Sequence, residues 1–263
     1  RPGRGPVAGA LVRGGWAGGG PGPARGAGAH VVQHPKPRGV GAAFRSGVER
    51  SLDLGADFLV TIDSDGQFAP EDIPQVIGPL VRGEADFVTA SRFVDPALVP
   101  EMPAAKRWGN DMIARWVSRI TGQTFRDVSC GFRAYTRDSL MRLFLMGDFT
   151  YTHEVFLSLA FARVRMVEVP VRVRGVREFG KSRVASNLFR YGWRTASIIL
   201  KTYRDYRPLR FFGWLAAGLF AAGLCFLAFL MYIKITTGGF SPHKWAGFVA
   251  AVFAGAALAV YLI

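Results

Sequence analysis

Phe58-Leu59-Val60-Thr61-Ile62-Asp63-Ser64-Asp65-Gly66-Gln67 is the stretch whose reading decides the fold. Its first five residues are apolar, β-branched or aromatic, with Asp57 before them and Gly66 after, and they predict a buried strand. A strand that stops at Asp63 and Asp65 brings both carboxylates to the carboxyl edge of a sheet, where open α/β sheets bind their ligands. Hard oxygen donors at that edge suit a magnesium-type ion carrying a substrate's phosphates.

On the N-terminal side, His30-Val31-Val32-Gln33 reads as a short strand. Phe44, Val48 and Leu52 then recur at helical spacing, and Gly55 supplies a stop, so 30–62 predicts a β-α-β unit. Downstream, Pro70-Glu71-Asp72 opens a helix that reaches Val81 and ends at Gly83. Residues 86–90 predict the next strand, followed by Ser91-Arg92. A long helix is expected over 104–120, with Trp108, Met112, Trp116 and Ile120 at spacing four. A strand follows at 131–135, then helices at 139–145 and 154–162. The alternation over 164–173 predicts a half-exposed strand. Alternating strands and helices imply an α/β fold with a mainly parallel, doubly wound sheet.

Toward the C-terminus the chemistry changes. Residues 184–208 mix Phe189, Trp193, Ile198 and Tyr203 with Arg190, Arg194, Lys201 and Arg204. This is the profile of an amphipathic helix lying in a membrane interface. Residues 211–233 and 245–263 carry no charge and predict a transmembrane hairpin within 209–263. The basic cluster before the first span places the soluble part in the cytoplasm. The chain has 263 residues, half of them hydrophobic, and a formal charge of +14, which suits an anionic partner. Its two cysteines, Cys130 and Cys225, exclude a disulfide framework. Residues 1–29 are dominated by Gly, Pro, Ala and Arg and predict disorder. The expectation is of an aberrant N-terminal segment and a truncated C-terminus.

Asp63-Ser64-Asp65-Gly66-Gln67 admits several readings. A calcium EF-hand loop fails, because the glycine comes early and Pro74 stands where the bidentate glutamate belongs. A phosphatase nucleophile motif lacks its Thr or Val after Gly and its downstream acidic motif. A metal-and-nucleotide motif of a nucleotide-sugar transferase fits, with Gln67 able to add an oxygen ligand. A surface turn without a ligand is the remaining reading. His30, His34, His153 and His243 show no metal-ligand spacing. Glu154 is read as orienting a helix or pairing with a basic residue.

Five motifs occur in order: Gly39-Val40-Gly41-Ala42-Ala43-Phe44-Arg45-Ser46-Gly47; residues 58–67; Ala90-Ser91-Arg92-Phe93; Asp127-Val128-Ser129-Cys130-Gly131-Phe132-Arg133-Ala134-Tyr135; and Arg177-Glu178-Phe179-Gly180-Lys181-Ser182-Arg183. The series resembles family-2 glycosyltransferases of the dolichyl-phosphate mannose synthase and polyprenyl-phosphate glycosyltransferase type, over roughly 28–183. The resemblance implies a GT-A catalytic domain at 30–183. It also implies a divalent ion, Mg2+ or Mn2+, held by Asp65 and Gln67, with Asp63 beside them helping to bind the nucleotide sugar. Arg92 and Arg107 are implied to face an acceptor phosphate. Arg177, Lys181 and Ser182 match a loop near the diphosphate and acceptor, with Arg183 in place of the usual Lys. The family's nucleoside-binding Pro-x-Tyr-Asn-Glu and Asp-Asp-Gly-Ser motifs are missing, and residues 1–29 stand where they belong.

The expected function is metal-dependent, inverting transfer of a sugar from GDP-mannose or a UDP-hexose to a polyprenyl phosphate, by an integral membrane enzyme with a cytoplasmic catalytic domain. No nucleic-acid partner is expected. One alternative is a processive polysaccharide synthase, but Tyr191-Gly192-Trp193-Arg194 is not its Gln-x-x-Arg-Trp motif. Another is a non-catalytic basic protein of the membrane surface.

Overall fold

The computed structural model describes residues 10–13, 26, 29–36, 39–63, 66–143, 152–174 and 188–262. The chain divides into two compact units, 1–199 and 200–263.

In the first unit, β1 (Ala10–Arg13) and β2 (His30–Gln33) form a parallel two-stranded sheet. Disorder was the expectation for 1–29, and Ala10–Arg13 departs from it. Ala10-Leu11-Val12 is the longest apolar run in an otherwise Gly- and Pro-rich segment, and it finds a strand partner in β2. α1 (Val40–Asp53) buries Phe44 and Val48 as its spacing predicts. It connects strands of two different sheets, because β2 pairs with β1 and not with the strand that follows. The expected β-α-β unit is therefore split between sheets.

The main sheet holds β3 (Phe58–Thr61), β4 (Phe87–Ser91), β5 (Arg133–Thr136) and β6 (Met166–Pro170), in the order β3-β5-β4-β6. β5 runs antiparallel to both of its neighbours, and β4 is parallel to β6. The sheet is thus mixed rather than mainly parallel. Hydrophobic alternation reports which face a strand buries and not which way it runs. β3, read from sequence as buried, lies at an edge among the described residues. Phe58 is accordingly 39% exposed.

Both faces of the sheet are covered. Val88 and Ala90 of β4 and Ala134 of β5 pack with Phe132 against Val76 and Leu80 of α2 (Ile73–Val81). Phe87 and Tyr135 point the opposite way. They meet Ile113 and Val117 of α3 (Ala104–Thr121) and Phe156 and Leu159 of α5 (Thr152–Phe161). The short α4 (Arg137–Met141) follows β5 directly. All five residues of β4 are buried, and each large apolar side chain so placed contributes about 1.5–3 kcal/mol. On α3, Trp108 and Met112 face solvent, whereas Trp116 and Ile120 pack against the core. A row at spacing four precesses by about 40° per step, so it leaves the exposed face within two turns.

α6 (Leu188–Tyr206) contributes Ile199 to the core of the first unit. The second unit is a pair of apolar helices, α7 (Pro208–Thr237) and α8 (Trp245–Tyr261). α7 has 30 residues, about 45 Å at 1.5 Å per residue, against a hydrocarbon core of about 30 Å. Among the described residues it is the one helix long and apolar enough to cross a membrane. The second expected span forms a helix of 17 residues. The two helices meet closely where Gly223 faces Ala250 O, with room for a Cβ only 3.1 Å from that oxygen. Phe226 stacks on Phe253 with ring centroids 5.8 Å apart.

Candidate active site

β3 pairs with β5 so that Thr61 lies opposite Arg133. Continuing this antiparallel register past the end of β3 places Asp63 opposite Gly131. The approach is close: a Cβ built on Gly131 would lie 2.6 Å from Asp63 Oδ2 and 3.2 Å from Oδ1. Only glycine leaves room for the Asp63 carboxylate to rest there. The Thr61 hydroxyl fastens the same turn by donating to Gly131 O at 3.0 Å.

Gly66, at φ 77°, turns the chain after the carboxylates, a conformation that glycine adopts without strain. Gln67 is then tied to the segment following β6. Its backbone O accepts from Arg174 N at 2.9 Å, and its Nε2 donates to Arg174 O at 3.1 Å. The Asp63 carboxylate and the Gln67 amide oxygen are donor types that a hard divalent cation accepts. Among the described residues, no group of three or more His, Cys, Asp or Glu side chains comes together to hold a metal. Asp65, expected between these two donors, lies outside the described residues, as do Arg177, Lys181 and Ser182.

Arg92 lies against an internal carboxylate. Its side chain is 14% exposed, and it grips the fully buried Asp127 side on. Nε donates to Oδ2 at 2.6 Å and Nη2 to Oδ1 at 2.9 Å. The Arg92 backbone N–H adds a bond to Oδ2 at 3.2 Å, and Nη2 also donates to Ser129 Oγ at 2.6 Å. Asp127 Oδ1 further accepts from the Ser129 N–H and hydroxyl, both at 3.1 Å. Ser129 Oγ reaches Asn110 Oδ1 on α3 at 3.3 Å.

Two more groups hold the same turn. Glu168 of β6 accepts from the backbone N–H of Arg126 and of Asp127, each at 2.8 Å. Arg133, fully buried on β5, donates from Nε to Cys130 O at 2.7 Å and from Nη2 to Val128 O at 3.3 Å. Its guanidinium also lies 4.9 Å from the centre of the Phe156 ring, a cation–π contact.

The charges follow from this geometry. Burial would raise the Asp127 carboxyl, but the Arg92 charge and its hydrogen bonds outweigh it, so Asp127 titrates below its ordinary value. Burial raises Glu168. Burial, with Asp127 nearby, pushes the Cys130 thiol up to about 12. A thiol held that far from ionisation is not a nucleophile at neutral pH. Desolvation, reinforced by Arg133, lowers His153 to about 3, so its imidazole is neutral.

Arg107 stands exposed near the start of α3, its backbone N–H donating to Pro103 O at 3.1 Å. Glu154 is buried on α5. The motif reading gave no task to Asp127, Ser129 or Glu168, which the structure brings together around the turn at 126–131. Asp127 and Ser129 carried a signal, since Asp-x-Ser is the spacing at which a carboxylate caps the N–H two residues on. Glu168 carried none, because its partners lie more than forty residues away.

Comparison with known proteins agrees with this architecture. Residues 23–144 match glycosyl transferase family 2. The UDP-N-acetylglucosamine–dolichyl-phosphate N-acetylglucosaminyltransferase of Methanococcus voltae is 35% identical over 110 residues, 42% of this chain and 44% of that protein. The undecaprenyl-phosphate mannosyltransferase of Micrococcus luteus is 30% identical over 166 residues, 60% of this chain and 66% of that protein. The chain thus spans from 44% to 66% of the length of these relatives. Glucosyl-3-phosphoglycerate synthase from Mycobacterium tuberculosis, solved with Mn2+, UDP and glucosyl-3-phosphoglycerate, superimposes with a TM-score of 0.51 at 20% identity. That match covers 68% of this chain and 62% of the synthase. The match to glycosyl transferase family 2 thus covers residues 23–144, and the chain has a GT-A-like fold.

Proposed function

We propose that this chain transfers a sugar from a nucleotide sugar to a polyprenyl phosphate at a membrane. The observation that carries the reading is the Asp63 carboxylate seated on Gly131 at the carboxyl end of β3, with Gln67 of the same motif anchored to Arg174. The relatives named above act, by their names, on dolichyl or undecaprenyl phosphate, and the long apolar helix α7 suits a lipid-linked acceptor.

The chemistry asks little of a general base. A phosphate monoester has its second pKa at about 6, so the acceptor is largely dianionic at neutral pH. One of its oxygens attacks the anomeric carbon, the bond from that carbon to the donor's diphosphate oxygen breaks, and configuration inverts. The protein must hold two anions together and stabilise the leaving diphosphate. A divalent ion, Mg2+ or Mn2+, held by Asp63, Asp65 and Gln67 would supply that neutralisation. Arg107, Arg177, Lys181 and Ser182 are the groups proposed to meet phosphate oxygens, the cations among them through charge-assisted hydrogen bonds. The basic residues ahead of the span, Lys201, Arg204, Arg207 and Arg210, support a cytoplasmic site. The donor is GDP-mannose or a UDP-hexose.

The test incubates membranes carrying the chain with labelled nucleotide sugars and polyprenyl phosphate, with and without divalent ion, alongside Asp65→Ala. Transfer of label to lipid that needs both the ion and Asp65 is expected. Absence of lipid-linked label with every donor would end this reading.

A further inference from the structure

We infer that Asp127, Arg92 and Glu168 are positioning residues, which build a clamped turn at 126–131 so that Gly131 seats the Asp63 carboxylate. This rests on the function proposed above and gives Arg92 a positioning task besides the acceptor binding that its motif implies.

The turn is fastened from three strands. From β4 and the residue after it, the guanidinium and backbone N–H of Arg92 close on Asp127. From β6, the Glu168 carboxylate receives the N–H groups of residues 126 and 127. From β5, the Arg133 guanidinium donates to the carbonyls of Val128 and Cys130. The last residue of the turn is Gly131, whose carbonyl is bound by Thr61 and whose missing Cβ is the space against Asp63. Ion pairs this deeply buried are poor devices for stability alone, because desolvation offsets most of their attraction. They are good devices for fixing geometry, since both partners are satisfied in one arrangement only. A bidentate arginine is suited to that task, because its planar fork fixes the carboxylate in direction as well as distance.

The consequence is specific. A methyl group on residue 131 must displace Asp63, and loosening Asp127 must let Gly131 drift from it. Both changes reach the metal through Asp63 without touching it. Partners one step removed from a metal ligand typically alter metal affinity or activity by about 10–100-fold when mutated.

The experiment uses the full chain in detergent. Binding of Mn2+ in the presence of UDP, and separately GDP, is read from loss of the free Mn2+ paramagnetic resonance signal, for wild type, Gly131→Ala, Arg92→Lys, Asp127→Asn and Asp63→Ala. Unfolding midpoints are measured in parallel. The expected result is that Gly131→Ala raises half-saturating Mn2+ about tenfold or more while its midpoint stays near wild type. In the Asp63→Ala background Gly131→Ala should add no further loss, the non-additivity expected of two residues acting through one contact. Asp127→Asn should shift Mn2+ binding in the same direction, and Arg92→Lys, which keeps the charge but not the fork, should fall between. Excess Mn2+ should restore sugar transfer in these variants. Mn2+ binding by Gly131→Ala within twofold of wild type, or an undiminished effect on top of Asp63→Ala, overturns the inference while leaving the transferase reading intact. A wild-type chain that transfers sugar to lipid but binds no Mn2+ with either nucleotide also overturns the inference alone. Failure of wild type to transfer sugar to lipid removes the transferase reading as well.

Discussion

The two compact units of this chain bury opposite things. The first takes Asp127, Arg133, His153 and Glu154 almost wholly out of solvent and surrounds them with the aromatic and aliphatic side chains of a doubly covered sheet. The second leaves Trp214, Phe220, Leu224 and Leu227 on its outside and buries mainly small residues, Ala216, Gly223, Ala246 and Ala250, between its helices. In water, the first arrangement is sustained only where each buried charge is paired or hydrogen-bonded. The second inverts the usual interior and exterior, as expected where lipid is the surrounding solvent and close helix contact depends on small residues. The contrast shows why a charge in the first unit has to be explained by its partners, whereas an apolar residue in the second is explained by its surroundings.

The sharpest way to break the first half of this contrast is to remove one member of a buried pair. Asp127→Ala leaves the Arg92 guanidinium without its carboxylate in a largely closed site, and the expected cost is about 3–5 kcal/mol. Urea unfolding of the detergent-solubilised chain measures it. Replacing both residues with apolar side chains of similar volume should cost much less, because no charge is then left buried and unpaired. Should the single and double variants lose equal stability, the pair would owe its burial to packing and not to mutual compensation.

The second half is tested by placing a charge where the apolar surface faces outward. Leu224 lies near the middle of α7 and is 49% exposed. Were α7 surrounded by water, Leu224→Arg would change stability by no more than about 0.5 kcal/mol. In a bilayer the same substitution costs about 2.5–3.5 kcal/mol at the centre of a span. The expected outcome is a smaller fraction of chain resisting alkaline extraction from membranes, with Mn2+–nucleotide binding by the first unit unchanged. Unaltered extraction would mean that lipid does not contact this face of α7.

These two halves were unequally legible in the amino-acid sequence. The apolar helices needed only a count of consecutive uncharged residues, and the strand at 58–61 needed only its β-branched run and the carboxylates after it. The place of Asp63 at a sheet edge followed from the same run. The ion pair of Arg92 with Asp127 did not, because a Ser-Arg pair after a strand reads alike whether or not an internal carboxylate 35 residues away meets the guanidinium. The seat beneath Asp63 was hidden for a related reason. Gly131 meets Asp63 only because β5 runs antiparallel to β3, and no alternation of apolar residues reports strand direction. Arg107 lies in the first turns of the helix expected from spacing over 104–120, which the structure supplies, while its approach to a phosphate stays part of the proposal.

The smallest of the expected effects concerns a group that the first unit buries without a charged partner. His153 is 1% exposed; its Nδ1 reaches Thr152 Oγ1 at 3.2 Å, and its Nε2 has no hydrogen-bond partner among the described residues. Desolvation, with Arg133 adding repulsion, depresses it from 6.5 to about 3. The sign follows from proton counting. Between these two values the unfolded chain takes up a proton that the folded chain refuses, so stability rises with pH across that window. The contribution is fully present above about pH 6.5 and is lost progressively as the pH falls toward the folded value. At pH 5 the loss amounts to about 2 kcal/mol relative to pH 7. Asp127 acts in the same direction only at lower pH, because its carboxyl titrates below its ordinary value. Glu168 opposes it, because its raised carboxyl binds a proton more readily in the folded chain. The histidine is therefore isolated by difference: urea unfolding at pH 7 and pH 5, in wild type and in His153→Phe. The wild-type chain should lose about 2 kcal/mol more than the variant between the two pH values. Equal losses in both chains would show that the imidazole becomes protonated in the folded state as readily as in the unfolded one, and that this buried site is open to water.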